Sequence, residues 1–319
     1  MKSSPLKLLS HFKSNTDGIG LSNIHIYLKV RRTISILPKK NRLQSLPIRT
    51  ANSTVYLLLG ILPICTELHK RQLSLFHQIA RSENVSIREI AWRQYNAGRP
   101  TSFFIRIVDI LDLYELPSFI EVMSGHFKKL DWKGIVKKSI NTYWTTKLQQ
   151  DCQSKSTLSL LSTTSLEMRK THIVWDSINN SVRDVRKAIT KARMLTRTYM
   201  LQTLKSKFNQ AEVDPTCPIC RLETETMTHV ITSCPVYNEV RKEYFVKIKG
   251  TVITSIGFDS WKRNFNKMDI ICQLVIGCQK LVVTGLLSKN DDLIHEIETA
   301  SKDLCHAIHS RRLNFKCAE

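Results

Sequence analysis

A chain of 319 residues with 42% hydrophobic side chains can bury one large core or two ordinary ones, which excludes wholesale disorder. Its 48 Lys and Arg against 27 Asp and Glu leave a formal charge of +21, far more than solubility asks of a surface, and this points to a polyanionic partner. Near the N-terminus Lys7 interrupts the short apolar set Leu6, Leu8 and Leu9, so no secretory signal is expected. A reducing nucleus or cytoplasm is then the expected compartment, and grouped cysteines read as metal ligands before disulfides.

Residues 1–50 hold ten Lys or Arg and one acid, Asp17, with Pro38 and Pro47 stopping any long helix. They read as a basic, partly ordered lead-in. From residue 51 the pattern becomes helical and stays so to 153. Val55 to Leu62 is apolar enough to be buried. Thr66 is placed to cap a helix whose apolar face includes Leu68, Leu73, Phe76 and Ile79. Helical segments follow in SIREIAWRQYNAG, SFFIRIVDILDLYEL and LPSFIEVMSGHF, then a longer one with Ile135, Ile140, Tyr143 and Trp144 spaced for one face. The stretch 154–178 opens Ser- and Thr-rich and reads as a linker between halves.

A basic amphipathic helix is predicted from Asn179 to Asn209, with Val182, Val185, Ile189, Ala192 and Leu195 inward. Its remaining faces carry Arg183, Arg186, Lys187, Lys191, Arg193 and Arg197, while Asp184 is the single acid before Lys207. With so few neutralising partners these six cations are candidate phosphate contacts, and a plain solvated face is the alternative. This helix and the cysteine cluster after it form a unit over 179–249, followed by C-terminal helices over 250–319. The apolar run 268–288 carries Asp269, Gln273, Gln279 and Lys280, and so reads as a buried helix rather than a membrane span. No alternating strand pattern stands out, so the fold class read from the sequence is all-α, an irregular helical assembly.

The densest chemistry lies in CPICRLETETMTHVITSCP, with spacing Cys217-x2-Cys220-x8-His229-x4-Cys234. Two thiolates two residues apart make a tight turn around one ion, with backbone N–H groups facing sulfur. His229 follows on a short helical turn that Pro235 ends. A Cys3His set suits one tetrahedral Zn²⁺ with no open position, hence a structural site, with donor atoms expected within about 4 Å of one another. Buried thiols acting as small hydrophobes are the alternative, which the polar setting of Asp214, Thr216, Arg221, Glu223 and Glu225 disfavours. Cys272 and Cys278 read as core. Cys305, His306, His309 and Cys317 read as helical residues before ligands.

The stretch resembles the C-terminal zinc knuckle of reverse transcriptases from non-LTR retrotransposons, matching at Cys217, Cys220, His229, Cys234, Pro235, Tyr237 and Arg241. Upstream, SLPIRTANSTVYLLLGILPICTELHKRQLSLF resembles the region beyond the polymerase core in such proteins. The resemblance implies a zinc-stabilised segment that helps hold RNA or DNA, with the rest of a retroelement polyprotein as a partner; sequence-tolerant binding is expected from the electrostatics of the basic helix.

The polymerase chemistry of that family is not expected here. Asp291-Asp292 lacks a preceding aromatic, Asp109 and Asp112 read as exposed helix acids, and His295-Glu296 has Thr299 where a second histidine is needed. The chain is therefore expected to be no enzyme. Two further readings stay open: a helical protein–protein adaptor with a structural zinc, and a truncated reading frame with no function of its own.

Overall fold

The computed structural model describes residues 44–179, 181–208 and 212–316, so most of the basic lead-in lies outside the described residues, as does Cys317. Among them every regular element is helical, and one isolated antiparallel bridge joins Thr216 to Thr224. The protein is all-α.

Helix α1 (Asn52–Leu59) is the expected apolar run, with Val55, Leu57, Leu58 and Leu59 buried. It ends at Gly60, whose φ of +62° turns the chain left-handed. A Cβ at Gly60 would sit 2.3 Å from the Lys170 carbonyl oxygen, because a later segment crosses here. That segment is tied down by Arg169 N–H donating to Gly60 O at 2.7 Å and His172 N–H to Leu58 O at 2.9 Å.

Helix α2 (Ile64–Ala80) starts after Pro63, whose fixed φ suits a helix entry. Thr66 is not its cap: it lies buried inside the first turn, its hydroxyl donating to Pro63 O at 2.6 Å. Leu73 and Phe76 are buried as expected, whereas Leu68 is 58% exposed. Helices α3 (Val85–Asn96), α4 (Phe103–Leu113) and α5 (Phe119–Met123) are each entered through a side-chain cap, Asn84, Ser102 and a Ser118–Glu121 capping box. With α2 they enclose a smaller core around Phe76, Ile107 and Phe119.

Helix α6 (Lys129–Gln153) serves two cores. Trp132, Val136 and Ile140 enter the smaller one, and Leu148 and Cys152 enter a larger one that also takes in α1. Segment 154–178 is not a solvated linker. Leu158, Leu161, Leu166 and Met168, with Val174 and Trp175 of α7 (Ile173–Asp176), are buried in the larger core. Its Ser and Thr residues shape the turns, as where Ser165 Oγ donates to Ser162 O at 3.0 Å, and the sparse large side chains between them do the packing. The two halves therefore meet along α6.

Helix α8 (Val182–Leu195) is half as long as the predicted basic helix. The run Thr196-Arg197-Thr198 ends it. Thr196 Oγ1 donates to Ala192 O at 2.8 Å, and the N–H groups of Thr198 and Tyr199 both turn back to Arg193 O. Arg197, at φ +50°, redirects the chain into α9 (Gln202–Lys207). After the cysteine segment come α10 (Asn238–Ile256) and α11 (Phe258–Asn264). The apolar run 268–288 divides into α12 (Met268–Gly277) and α13 (Gln279–Val283). Gly277 admits the Leu160 carbonyl, which a Cβ would meet at 2.5 Å. The last helix, α14 (Asp291–Lys316), packs along α8 and α10, and Asn290 Oδ1 accepts from Asp292 and Leu293 N–H at its start. No helix among the described residues is long and apolar enough to cross a membrane.

Candidate metal centre and basic face

The first two cysteines sit in a tight turn between residues 215 and 225. Cys217 N–H donates to Glu223 O at 2.7 Å, Glu225 N–H to Pro215 O at 2.8 Å, and Arg221 N–H to Cys217 O at 2.8 Å. Arg221 takes φ +57° to close the turn. The N–H groups of Ile219 and Cys220 then face the Cys217 sulfur, and those of Leu222 and Glu223 face the Cys220 sulfur. This is the arrangement expected from a Cys-x2-Cys turn.

His229 opens a single π-helical turn, His229–Ser233, in which Cys234 N–H reaches back five residues to His229 O at 2.8 Å. The wide turn brings the His229 ring and the Cys234 sulfur to the same side, and π-turns recur where side chains must converge like this. One donor atom from each of Cys217, Cys220, His229 and Cys234 lies within 4.8 Å of every other, with His229 Nε2 3.3 Å from Cys220 Sγ. The spread exceeds the ~4 Å expected, since zinc–sulfur bonds of about 2.3 Å set sulfurs roughly 3.8 Å apart in a tetrahedron. The four side chains are close enough to hold a metal ion, and it would draw them in by about 1 Å.

One partner was not anticipated. Glu223 Oε2 lies 2.8 Å from His229 Nδ1, so the geometry assigns the proton to Nδ1 and leaves the Nε2 lone pair facing the sulfurs. A carboxylate behind a ligating histidine fixes ring and tautomer and raises the ligand's basicity. The sequence had only marked Glu223 as polar loop, because no periodicity links a loop acid to a histidine six residues on.

Thiol chemistry is uneven across the set. Burial pushes Cys234 up to about 12 and also raises Cys217. Burial opposes ionisation of Cys220 too, but the Leu222 N–H, the Cys217 thiol, His229 and the Glu223 N–H bring it down to about 7. Cys220 would be the natural first ligand, and a metal held by all four side chains would displace protons from the other two thiols, so that affinity would rise with pH.

The cluster is not a free-standing knuckle, since Cys217, Val230, Ile231 and Cys234 belong to the larger core. A second contact missed by sequence reasoning holds it there. Glu225 is fully buried and accepts from Arg312 on α14 at 2.7–2.9 Å through both carboxylate oxygens, and from Gln202 N–H at 2.6 Å. Tyr237 is buried beneath the cluster, and Arg241 donates to the Cys234 carbonyl and to Asn238 Oδ1.

The six cations read as one basic face separate. Lys191 must be corrected: it is fully buried, ion-paired with Glu298 at 2.8 Å and bonded to Ser301, because α14 covers that side of α8. Beside it Lys302 bonds Ser177 O at 2.8 Å and meets Asp184 Oδ2 at 3.4 Å, so two cations and two acids balance inside the core. Lys187 pairs with Asp303, and the half-buried Arg193 donates to Ser45 O through Nε and Nη2. Arg183, Arg186 and Arg197 are exposed. Val182, expected inward, is exposed as well. Arg183 and Arg186 lie near the start of α8 and Arg197 beyond its end, roughly 15 Å further along the axis.

Cys272, Cys278 and Cys305 are buried thiols, each held up near 12 first of all by burial, as core cysteines should be. His309 hydrogen-bonds Tyr199 at 2.9 Å, and among the described residues the one group able to ligate a metal is the Cys3His set. Asp109, Asp112, Asp291 and Asp292 are exposed. No protein-family model, curated protein or solved structure matches the chain.

Proposed function

We propose that this chain is a zinc-stabilised nucleic-acid-binding segment related to the post-polymerase region of non-LTR retrotransposon reverse transcriptases, and that it is not an enzyme. The observation that carries the reading is the convergence of Cys217, Cys220, His229 and Cys234, with Glu223 behind the histidine. The remaining residues of the resemblance serve the same cluster. Pro235 starts the turn after Cys234, Tyr237 fills the space below it, and Arg241 holds its carbonyl. All four protein positions around a tetrahedral zinc are taken, which leaves no place for an activated water and makes the ion structural.

The charge of +21 supports a polyanionic partner, and Arg183, Arg186 and Arg197 are the exposed members of the basic set. Binding to RNA or DNA phosphates through them is electrostatic and tolerant of sequence. The test is a salt titration of labelled single-stranded RNA and DNA with wild type and an R183E/R186E/R197E variant. Three lost phosphate contacts lower the log–log salt slope by about 2 for single strands. An unchanged slope and affinity would overturn the reading for these arginines.

A protein–protein adaptor is the second reading, favoured by one observation: Val85, Ile87 and Ile90 on α3 are exposed apolar side chains within six residues. A partner bound with no salt dependence, together with no affinity for RNA or DNA, would select it.

A further inference from the structure

Away from the metal centre and from α8, a cavity of about 250 Å³ opens where α2, α6 and the segment crossing Gly60 meet. Four cations line it, Lys70 from α2, Lys133 and Lys137 from α6, and Arg169 from the crossing segment, and no acid does. Lys133 and Lys137 stand four residues apart on one helix face, so both reach the same opening. The floor is Trp132 and Val136, and Trp132 is fixed by its Nε1–H bond to Leu73 O at 3.2 Å and by stacking on His77 at 5.7 Å.

Arg169 is held there by its backbone. Its φ of +78° is left-handed, a conformation uncommon for any residue other than glycine, and its N–H is locked to Gly60 O. Just before it the segment is tied to α6, with Gln149 Nε2 donating to Leu166 O at 2.7 Å and Met168 N–H to Thr145 Oγ1 at 3.4 Å. The guanidinium thus comes from a braced position.

The nearby acids are already matched. Glu67 pairs with Lys70 at 2.7 Å, and Glu167 pairs with Lys170, outside the cavity, at 2.9 Å. Among the described residues Lys133, Lys137 and Arg169 have no acidic partner. Like charges at the rim of one concave, mostly apolar opening repel one another, and an anion seated between them relieves that repulsion. The two unpaired lysines and the arginine, together with Lys70 beside them, suit a compact multivalent oxyanion that accepts from several directions, which is the chemistry of phosphate.

We propose that the Lys70–Lys133–Lys137–Arg169 cavity is a phosphate-binding site. The phosphate can belong to a polynucleotide backbone or to a free nucleotide or polyphosphate. The site does not depend on the arginines of α8.

Inorganic pyrophosphate is the probe, titrated calorimetrically at low ionic strength into the full chain and into a K133Q/K137Q/R169Q variant whose fold is checked by circular dichroism. Lys133, Lys137 and Arg169 are exposed, so the variant should keep its core. A K138Q/K147Q variant, altered on the neighbouring face of α6, is the control for general charge loss. The expected result is at least tenfold weaker pyrophosphate binding in the triple variant and less than twofold change in the control. If pyrophosphate also displaces a labelled oligonucleotide, and the triple variant loses that oligonucleotide, the occupant is a backbone phosphate. If oligonucleotide binding is unaltered while pyrophosphate binding is lost, the occupant is a small phosphate compound. Equal pyrophosphate binding by wild type and triple variant, or no binding by wild type, overturns the proposal.

Discussion

Replacing Lys191 by methionine should destabilise the protein without touching its affinity for nucleic acid. The ammonium group is fully buried 2.8 Å from the Glu298 carboxylate, so the substitution strands an acid inside the core. Breaking one side of a buried pair costs about 3–5 kcal/mol. The low end applies, since Lys302 sits close enough to be influenced by Glu298 and goes on compensating part of its charge. A loss of about 3 kcal/mol is therefore expected in urea unfolding followed by circular dichroism at constant zinc. Changing both partners, K191M with E298L, removes the stranded charge and should recover most of that loss, because well-packed apolar replacements of buried pairs are often neutral or better. A K191M protein of unaltered stability that has lost oligonucleotide binding would refute this account and restore Lys191 as a phosphate contact.

Glu223→Gln should weaken zinc binding by about tenfold in a chelator competition, the modest end of the range for an outer carboxylate, as Glu223 is 65% exposed; no change would mean that its 2.8 Å contact to His229 has no bearing on the metal. His172 offers a pH test. Its buried ring, with Glu298 partly opposing, is lowered from 6.5 to about 4, so the unfolded chain takes up a proton that the native chain refuses, and stability falls as pH drops from about 6.5 to 4. The full effect is about 3 kcal/mol. His172→Asn keeps an acceptor for the Val174 N–H and removes the titration, so its stability should depend less steeply on pH than wild type across that window, and identical slopes would contradict the assignment.

The sequence made some features plain and hid others for physical reasons. The grouping of the four donors was legible because their chemistry is local: four side chains within eighteen residues, two of them on one turn. The all-α class was legible from periodicity. Lys191 was misread because a helical wheel shows which faces are apolar but not which polar face another helix will cover, and its partner Glu298 lies 107 residues away. The break at Thr196 was missed for a related reason, since Thr hydroxyls that end a helix here are tolerated within helices elsewhere. Segment 154–178 looked like a linker because composition averages over Leu158, Leu161, Leu166, Met168 and Trp175, which are few but buried.

The Arg312–Glu225 clamp spans 87 residues of sequence, whereas the four grouped donors span seventeen, so the two closures differ in entropic cost. Closing the longer loop costs roughly 1.5 kcal/mol more in chain entropy, before any helix packing is counted. The four donors would therefore be cheaper to bring together around an ion than the clamp is to close. Glu225 also closes the Cys-x2-Cys turn through its N–H bond to Pro215 O, so an ion held there would leave more readily whenever the last helix lets go of that turn.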